Sequence, residues 1–510
     1  MIKNLHISTF VKRLRTGKIA LLCALGLITA CSSSIEKPRL VKDFPIEEPG
    51  VYGPETSGNP DDFRGAAIVN SQDFLIGGPL ARGKVGDILI QNDKVRFILR
   101  QPDRMAGIGT YGGNIVDADL FRPKSEPGQD NFGFMYPLLN IAWTTNCVRI
   151  DVVNDSFDNG PVVVRTSCYI DVYDYIMTSV ITTFSAVTAG TSLFYADRFN
   201  DAVEPFKFID ELSQLNTVVI TDYTLKEDSS YLIMETKMEN LSPDSARFPF
   251  GEWLNGSGPF GLFVPKQGFP YDSLIGNPHG LIYQGLQDDI PVSYGYFQNS
   301  FRCPQKEDGL YPGAAAIAVS GVTISVMCEE SLLKLLPVGN GTVEMKHELK
   351  PGINTMTRYF VVGNGDAASV TNEAYKALGA QTLSASGTVL DSDNNPVENA
   401  RVFFMTEDAD FSKRQPITIA FTDENGQFAT TIPTGNDAAG KMLGSPNGKY
   451  MVEVYKEGYL RKGTNLAGIC DEGNLDELNF EWSNIQCTLG KYATFKPTVD
   501  VDGQPGPARV

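Results

Sequence analysis

A small set of acidic, aromatic and histidine residues has the chemistry needed to act on a sugar. Glu252 and Trp253 lie in an aromatic, glycine-rich stretch at residues 248–263, and His279, Asp117 and Asp119 are the other candidates. Sugar chemistry uses two carboxylates, or a histidine with a glutamate, around a ring that an aromatic side chain can stack on. The same residues equally fit acids at strand ends and a tryptophan in the core.

Histidine is too scarce for a zinc peptidase. After residue 30 the chain has two histidines, His279 and His347, and no His-Glu-x-x-His motif. The sequence GIGTYG at 107–112 matches a dinucleotide-binding spacing, but no helix pattern follows it, so we expect a flexible glycine loop. The acidic run at 391–395 resembles the start of a calcium loop, but Pro396 and Val402 replace its glycine and its bidentate glutamate. We therefore expect a turn there, and no metal or cofactor.

Six cysteines form three close pairs along the sequence. We expect the local disulfides 147–168, 303–328 and 470–487; the six residues are Cys147, Cys168, Cys303, Cys328, Cys470 and Cys487. Buried free thiols are the alternative. No pair has the spacing of a zinc knuckle.

Export is indicated by the first 31 residues. Five basic residues and no acid precede an apolar run at 19–30, which is too short to cross a bilayer. The run ends in LITAC at 27–31, which resembles the lipobox of bacterial lipoproteins. That resemblance implies cleavage before Cys31, acylation of its thiol and attachment to a membrane. Ser32 stands where an aspartate retains such proteins at the inner membrane, which favours the outer membrane.

Charge excludes nucleic acid as a partner. The chain has 43 basic and 61 acidic residues, a net charge of −18. Because residues 1–30 carry five of the basic ones, the remainder has a net charge of −23. Such a chain repels polyanions.

Short β-rich runs dominate the remaining sequence and predict an all-β fold. Residues 31–62 are expected to be a lipidated cysteine and a tether, and 63–380 a large β-sandwich region, with one short helical turn at 372–378. Within it, KMENLSP at 237–243 followed by FPFG at 248–251 is similar to the galactose mutarotase-like β-sandwiches, which implies a supersandwich.

A second resemblance covers residues 385–464. The segments GTVLD at 387–391, NNPV at 394–397, ARVFF at 400–404, TDENGQF at 422–428 and NGKYMVEV at 447–454 resemble the carboxypeptidase regulatory-like domain, a small transthyretin-like β-sandwich. The resemblance implies a domain without a catalytic role, which we expect to fold alone. Residues 465–510 are predicted to be a cysteine-paired tail, whose end at 499–510 echoes residues 389–402. We expect either the start of a further, truncated β-repeat or a partial repeat that pairs with an existing sheet edge.

Two functional hypotheses remain. The first is a lipid-anchored envelope protein, not itself catalytic, that displays β-sandwich domains for binding, adhesion or scaffolding, with a glycan or protein as ligand and the membrane as its partner through Cys31. The second is a carbohydrate-binding or carbohydrate-active protein that uses the large sandwich. A concave pocket that holds two carboxylates, or His279 with Glu252, would favour the second.

Overall fold

The computed structural model describes residues 46–102, 111–172, 217–299, 315–326 and 347–505, with short gaps inside these ranges. The chain divides into two compact units. Unit 1 contains residues up to Gly379 together with Asp437–Lys441, and unit 2 contains Ala380–Asn436 and the residues from Met442 onward. Both are built almost entirely from β-strands, which confirms the all-β sandwich predicted from the sequence. No helix in the described part of the chain is long and apolar enough to span a membrane.

Unit 1 contains twenty strands and one longer helix among its described residues. These are β1 (Gly50–Tyr52), β2 (Gly65–Ile68), β3 (Ile88–Gln91), β4 (Val95–Leu99), β5 (Ile115–Leu120), β6 (Phe134–Leu139), β7 (Trp143–Asn154), β8 (Val162–Val172), β9 (Thr217–Leu225), β10 (Tyr231–Asn240), β11 (Ala246–Phe248), β12 (Phe250–Asn255), β13 (Phe260–Phe263), β14 (Ser273–Gly276), β15 (Leu281–Gly285), β16 (Ser293–Asn299), β17 (Ala315–Val319), β18 (Val322–Val326), β19 (His347–Leu349), β20 (Gly352–Gly363) and α1 (Ala367–Ala377).

Fourteen of these strands form one sheet. Its order is β13-β15-β16-β20-β10-β9-β8-β7-β6-β12-β18-β17-β14, with β1 paired to β7. Side chains of β12 touch those of β16 and β20, which lie several strands away in this order, so the sheet curves until its two halves face each other across the core. A separate sheet, β2-β3-β4-β5, shares that core through residues such as Phe97 and Ile90.

Alternation of side chains explains the core. In β10 the even-numbered positions from Leu232 to Met238 are buried, while Ile233, Glu235 and Lys237 are partly exposed on the other face. Arg165 of β8 and Asp222 of β9 form a bidentate ion pair on that outer face, at 2.7 and 2.8 Å. The outer face of this part of the sheet is therefore polar.

Helix α1 is longer than the sequence pattern predicted. It covers eleven residues, and its first turn begins at the cap residue Asp366, whose carboxylate accepts the Ser369 amide hydrogen at 2.8 Å. Val370 packs directly against Gly295 of β16, where a larger side chain would collide. The predicted turn at 372–378 is thus only the second half of a packed helix.

Unit 2 is a smaller two-sheet structure. Its strands are β21 (Thr382–Asp391), β22 (Arg401–Thr406), β23 (Pro416–Phe421), β24 (Gln427–Pro433), β25 (Tyr450–Tyr455), β26 (Tyr459–Leu460), β27 (Ile469–Cys470), β28 (Asn474–Asp476), β29 (Glu481–Lys491), β30 (Asp500–Val501) and β31 (Gln504–Pro505). One sheet runs β24-β21-β29-β26, with β27 and β28 also paired to β29, and the other runs β23-β22-β25. Phe404, Phe428 and Trp482 meet edge to face in the core between them.

The compact unit extends past residue 464, where the sequence analysis ended it. Strand β29, assigned to the tail, pairs in parallel with β21 along most of its length. Its side chains Ile485, Cys487 and Leu489 are buried on the inner face. A segment that stops at 464 therefore lacks an interior strand of this sheet.

Candidate functional site

Three polar side chains meet inside the core of unit 1: Glu252 of β12, Arg358 of β20 and Tyr296 of β16. We refer to them as the bridge cluster. Glu252 points inward because it alternates with Trp253, on the same face as the core residue Leu254. Arg358 occupies an inward position between Met356 and Phe360, and the curvature of the sheet brings it opposite Glu252.

Every member of the bridge cluster has an internal partner. Arg358 Nε lies 2.6 Å from Glu252 Oε1, and Arg358 Nη1 donates to the Thr236 hydroxyl at 2.8 Å. The Tyr296 hydroxyl donates to Glu252 Oε2 and accepts from Gln298 Nε2 at 3.2 Å. The network therefore connects strands of both facing halves of the sheet.

Burial sets the electrostatics of this cluster. The Glu252 and Arg358 side chains are 1% and 3% exposed. Loss of hydration raises the pKa of Glu252, while the charge of Arg358 and the Tyr296 hydrogen bond oppose that rise. Burial, and then the neighbouring Glu252 charge, raise the pKa of Tyr296 well above its usual value. The arrangement suits a structural ion pair, since neither carboxylate oxygen faces water.

Trp253 does not share a site with Glu252, because adjacent strand residues point to opposite faces. The indole lies on the outer face of β12, half-buried, with its ring centre 6.3 Å from that of Phe134. Phe134 in turn packs against Tyr136 at 5.1 Å. The aromatic stretch recognised in the sequence is thus divided between the core and the outer face.

Asp117 and Asp119 belong to β5, where both are buried. Asp117 accepts the backbone amides of Arg82 and Gly83, each at 2.7 Å. Asp119 accepts the Gln129 amide at 2.7 Å and pairs with Arg122 at 3.2 Å. These two carboxylates hold loops onto β5 and have different partners from Glu252.

His279 and Cys31 lie outside the described residues.

Sequence reasoning missed three buried polar residues: Arg358, Tyr296 and Asp130. Arg358 could have been found from the sequence, because it is a charged residue at a core-facing position of a strand with alternating polar and apolar residues. A buried charge requires a partner. Asp130 lies in the loop between β5 and β6 and has no comparable pattern. Its burial, together with the nearby charge of Asp117, raises its pKa to about 8, while burial raises the pKa of Asp117 to about 6.

Two of the predicted disulfides are confirmed. Cys147 and Cys168 are bonded where β7 and β8 place them directly opposite each other, and both are buried. Cys470 and Cys487 are bonded between β27 and β29. The third predicted pair, Cys303 with Cys328, lies outside the described residues. Disulfides persist in oxidising compartments, so they indicate an extracellular or periplasmic environment.

The acidic turn at 391–395 is paired with the side chain of a lysine from another strand. Asp391 accepts the amides of Asp393 and Asn395 at 2.8 and 2.9 Å, as in a turn. Lys491 Nζ lies 2.8 Å from Asp391 and 2.6 Å from Asp393, and it lowers the pKa of Asp391. Among the described residues, no group of three or more acidic, histidine or cysteine side chains is arranged to hold a metal ion. Most of the glycine loop at 107–112 lies outside those residues.

Comparison with known proteins gives weak structural likenesses. No protein-family model matches the sequence, and no curated protein matches it. The GH36 α-galactosidase AgaB from Geobacillus stearothermophilus is similar with a TM-score of 0.30 and 8% identity, over 60% of this chain and 44% of that one. A galactose mutarotase related enzyme from Lactobacillus acidophilus is similar with a TM-score of 0.27 and 9% identity, over 55% of this chain and 98% of that one. The chain thus spans less than half the length of the galactosidase, and no functional conclusion depends on these likenesses.

Proposed function

We propose that this chain is an exported lipoprotein, held on the outer membrane by lipid on Cys31, whose β-sandwich units bind or scaffold a partner rather than catalyse a reaction. One observation carries the non-catalytic role. Each described candidate carboxylate, Glu252, Asp117 and Asp119, is buried and bound to protein groups. An acid or base in catalysis must reach the proton that it transfers.

Export and anchoring have separate support. The two disulfides indicate an oxidising compartment. The LITAC sequence at 27–31 supplies an acylation signal, and two or three acyl chains bury enough methylene groups for durable attachment. Metabolic labelling with a fatty-acid analogue should mark the wild-type protein, and Cys31→Ala should remove both the label and membrane attachment. Membrane retention of a cleaved Cys31→Ala protein would contradict the anchor.

We further propose that unit 2 is a carboxypeptidase regulatory-like sandwich that extends to residue 491. Its strand and turn motifs support this, because the inner-face residues Val402, Phe404 and Val454 of one sheet are buried in one core, where Phe404 meets Phe428 of the facing sheet. Gly426 supports the turn before β24, where its positive φ of 69° and its contact with the Val389 carbonyl oxygen leave no room for a side chain. In that family the domain has no catalytic role, so unit 2 should show no peptidase activity.

The alternative is a carbohydrate-binding protein, and one observation favours it. Trp253 is partly exposed on the face of β12 opposite Glu252, beside the buried rings of Phe134 and Tyr136, and an amphipathic ring of this kind can stack on a sugar. A glycan array with the purified chain tests it. Loss of a glycan signal in Trp253→Ala, with the signal kept in Glu252→Gln, would favour binding without catalysis. Hydrolysis by the wild-type chain that a folded Glu252→Gln variant lacks would overturn the proposed role.

A further inference from the structure

A surface segment at residues 77–83, which we call the strap, binds the buried carboxyl group of Asp117 and contacts the backbone of Asp130, a second buried acid. Three of its amides donate to groups outside it. The Arg82 and Gly83 amides donate to Asp117 at 2.7 Å each, and the Leu80 amide donates to the Asp130 carbonyl at 3.0 Å. The strap has no regular secondary structure of its own, so these bonds fix its position.

Glycines allow this close approach. A Cβ atom at Gly83 would lie 2.6 Å from Asp117 Oδ2, and one at Gly78 would lie 2.2 Å from the Asp130 amide nitrogen. The strap and the segment around Asp130 are therefore in direct backbone contact. Movement of either one must disturb the other.

Asp130 has a carboxyl oxygen that the fold leaves unused. Its Oδ1 accepts the Ala118 amide of β5 at 2.9 Å and the Phe132 amide at 3.2 Å. Its Oδ2 is fully buried and has no hydrogen-bond partner among the described residues. A buried carboxylate with one unsolvated oxygen is far more costly than the neutral acid.

The charged surroundings do not compensate for a negative charge on Asp130. Asp117 and Asp119 of β5 both oppose its ionisation. The nearby cations already have acidic partners, since Arg100 pairs with Asp87 at 3.1 Å and Arg122 with Asp119. Besides burial, which raises the pKa of Asp117, the charge of Arg100 lowers that pKa and the charge of Asp87 raises it. Tyr294 of β16, whose pKa is raised by burial and by the charges of Asp130 and Asp117, also faces the pair, and Arg96 of β4 lies near Asp119.

We propose that the strap is a proton-dependent latch, closed over β5 while the Asp117–Asp130 pair holds a proton and released when both carboxyl groups are ionised. In the closed state the proton removes the repulsion between the two acids. In the open state Asp130 becomes hydrated, and the Leu80, Arg82 and Gly83 amides lose their acceptors.

The direction of the pH effect follows from proton linkage. The pKa of Asp130 is about 8 in the closed state and close to 4 for a solvated aspartate. The closed state therefore binds more protons between these values, and its stability falls as the pH rises. Asp117 contributes to this loss of stability only up to about pH 6, above which it is ionised in the closed state as well. Between pH 6 and 8, one proton is released on opening, so the opening equilibrium constant should rise about tenfold per pH unit.

Hydrogen exchange of the whole chain measures this opening. After correction for intrinsic exchange rates, the protection factors of the Leu80, Arg82 and Gly83 amides should fall about tenfold per pH unit between pH 6 and 8 and level off above pH 8. Asp130→Asn keeps the shape but cannot ionise, so its protection should be independent of pH. Asp93→Asn, at a side chain 74% exposed in the neighbouring hairpin, is the matched control and should retain the wild-type slope.

Either of two results would overturn the latch. One is wild-type protection that does not change between pH 6 and 8. The other is an Asp130→Asn slope equal to that of the wild type. If Asp130→Asn does not fold, the wild type and Asp93→Asn still test the latch. In each of these proteins, opening must release about one proton between pH 6 and 8, and protection must therefore fall about tenfold per pH unit.

Discussion

The ion pair between Glu252 and Arg358 gives the sharpest prediction about the interior of unit 1. Arg358→Met removes the charge and leaves Glu252, 1% exposed, without the cation 2.6 Å away. Breaking one side of such a buried pair costs about 3–5 kcal/mol, and the Thr236 hydroxyl also loses its donor. We expect a loss of about 4 kcal/mol in the free energy of unfolding, measured by urea denaturation.

A double variant separates the pair from its surroundings. Glu252→Leu with Arg358→Met replaces both charges by apolar side chains, so it should cost less than either single change. Arg165→Met is the matched control: its pair with Asp222 lies on the outer face, with Arg165 40% exposed, and should be worth less than about 1 kcal/mol. Additive losses in the double variant would refute the argument.

The pH dependence of the stability of Arg358→Met provides a second test of the same ion pair. Without the arginine, burial raises the pKa of Glu252 further above its unfolded value of about 4.3. The folded state then binds a proton that the unfolded state releases, so stability is greatest at acidic pH and falls as the pH rises. The deficit relative to the wild type should therefore be smaller at pH 5 than at pH 8. An equal deficit at both pH values would contradict a buried, unpaired carboxyl group.

Other predictions concern the disulfides and unit 2. Cys147→Ser with Cys168→Ser removes a bridge between residues 21 apart, and a denaturation curve should show a loss of about 3 kcal/mol; no loss would contradict its role. Residues 380–491 expressed alone should melt cooperatively, whereas 385–464 should not, since it lacks β29; equal melts would contradict the revised boundary. Val452→Asp places an unpaired charge between the two sheets and should abolish that melt, which circular dichroism would detect, while Glu453→Gln on the opposite face should not.

Local patterns in the sequence were sufficient for strands and near pairings. The hairpin of β3 and β4 and the disulfide between Cys147 and Cys168 depend on residues close together in the chain. Helix α1 was recognised only in part, because Asp366 and Ser369 of its first turn were not read as a cap. Short-range geometry is therefore the part of this fold that the sequence encodes most directly.

The candidate site was harder to predict because it depends on sheet order. Glu252 and Arg358 are 106 positions apart, and only the curvature of the sheet brings them together. Trp253 was grouped with Glu252 on grounds of adjacency, but the two-residue period of a strand separates them. The strap over Asp117 could not be foreseen, since its contacts are made by backbone amides, which carry no sequence signal.

The pairing of β10 with β20 has a consequence for how the chain acquires its structure. Ten residues of β10 are matched with ten of β20 in one continuous register, yet more than a hundred residues separate the two strands. Contacts of such long sequence separation carry a loop-closure cost before they contribute stability, and they slow folding. Strands β7 to β10 pair with their neighbours in order along the chain, whereas β20 is the last strand of this sheet in the sequence. We therefore expect refolding to proceed through an intermediate in which β7 to β10 are paired while the edge of β10 stays open, and this exposed edge is where the unfinished chain would associate with another copy.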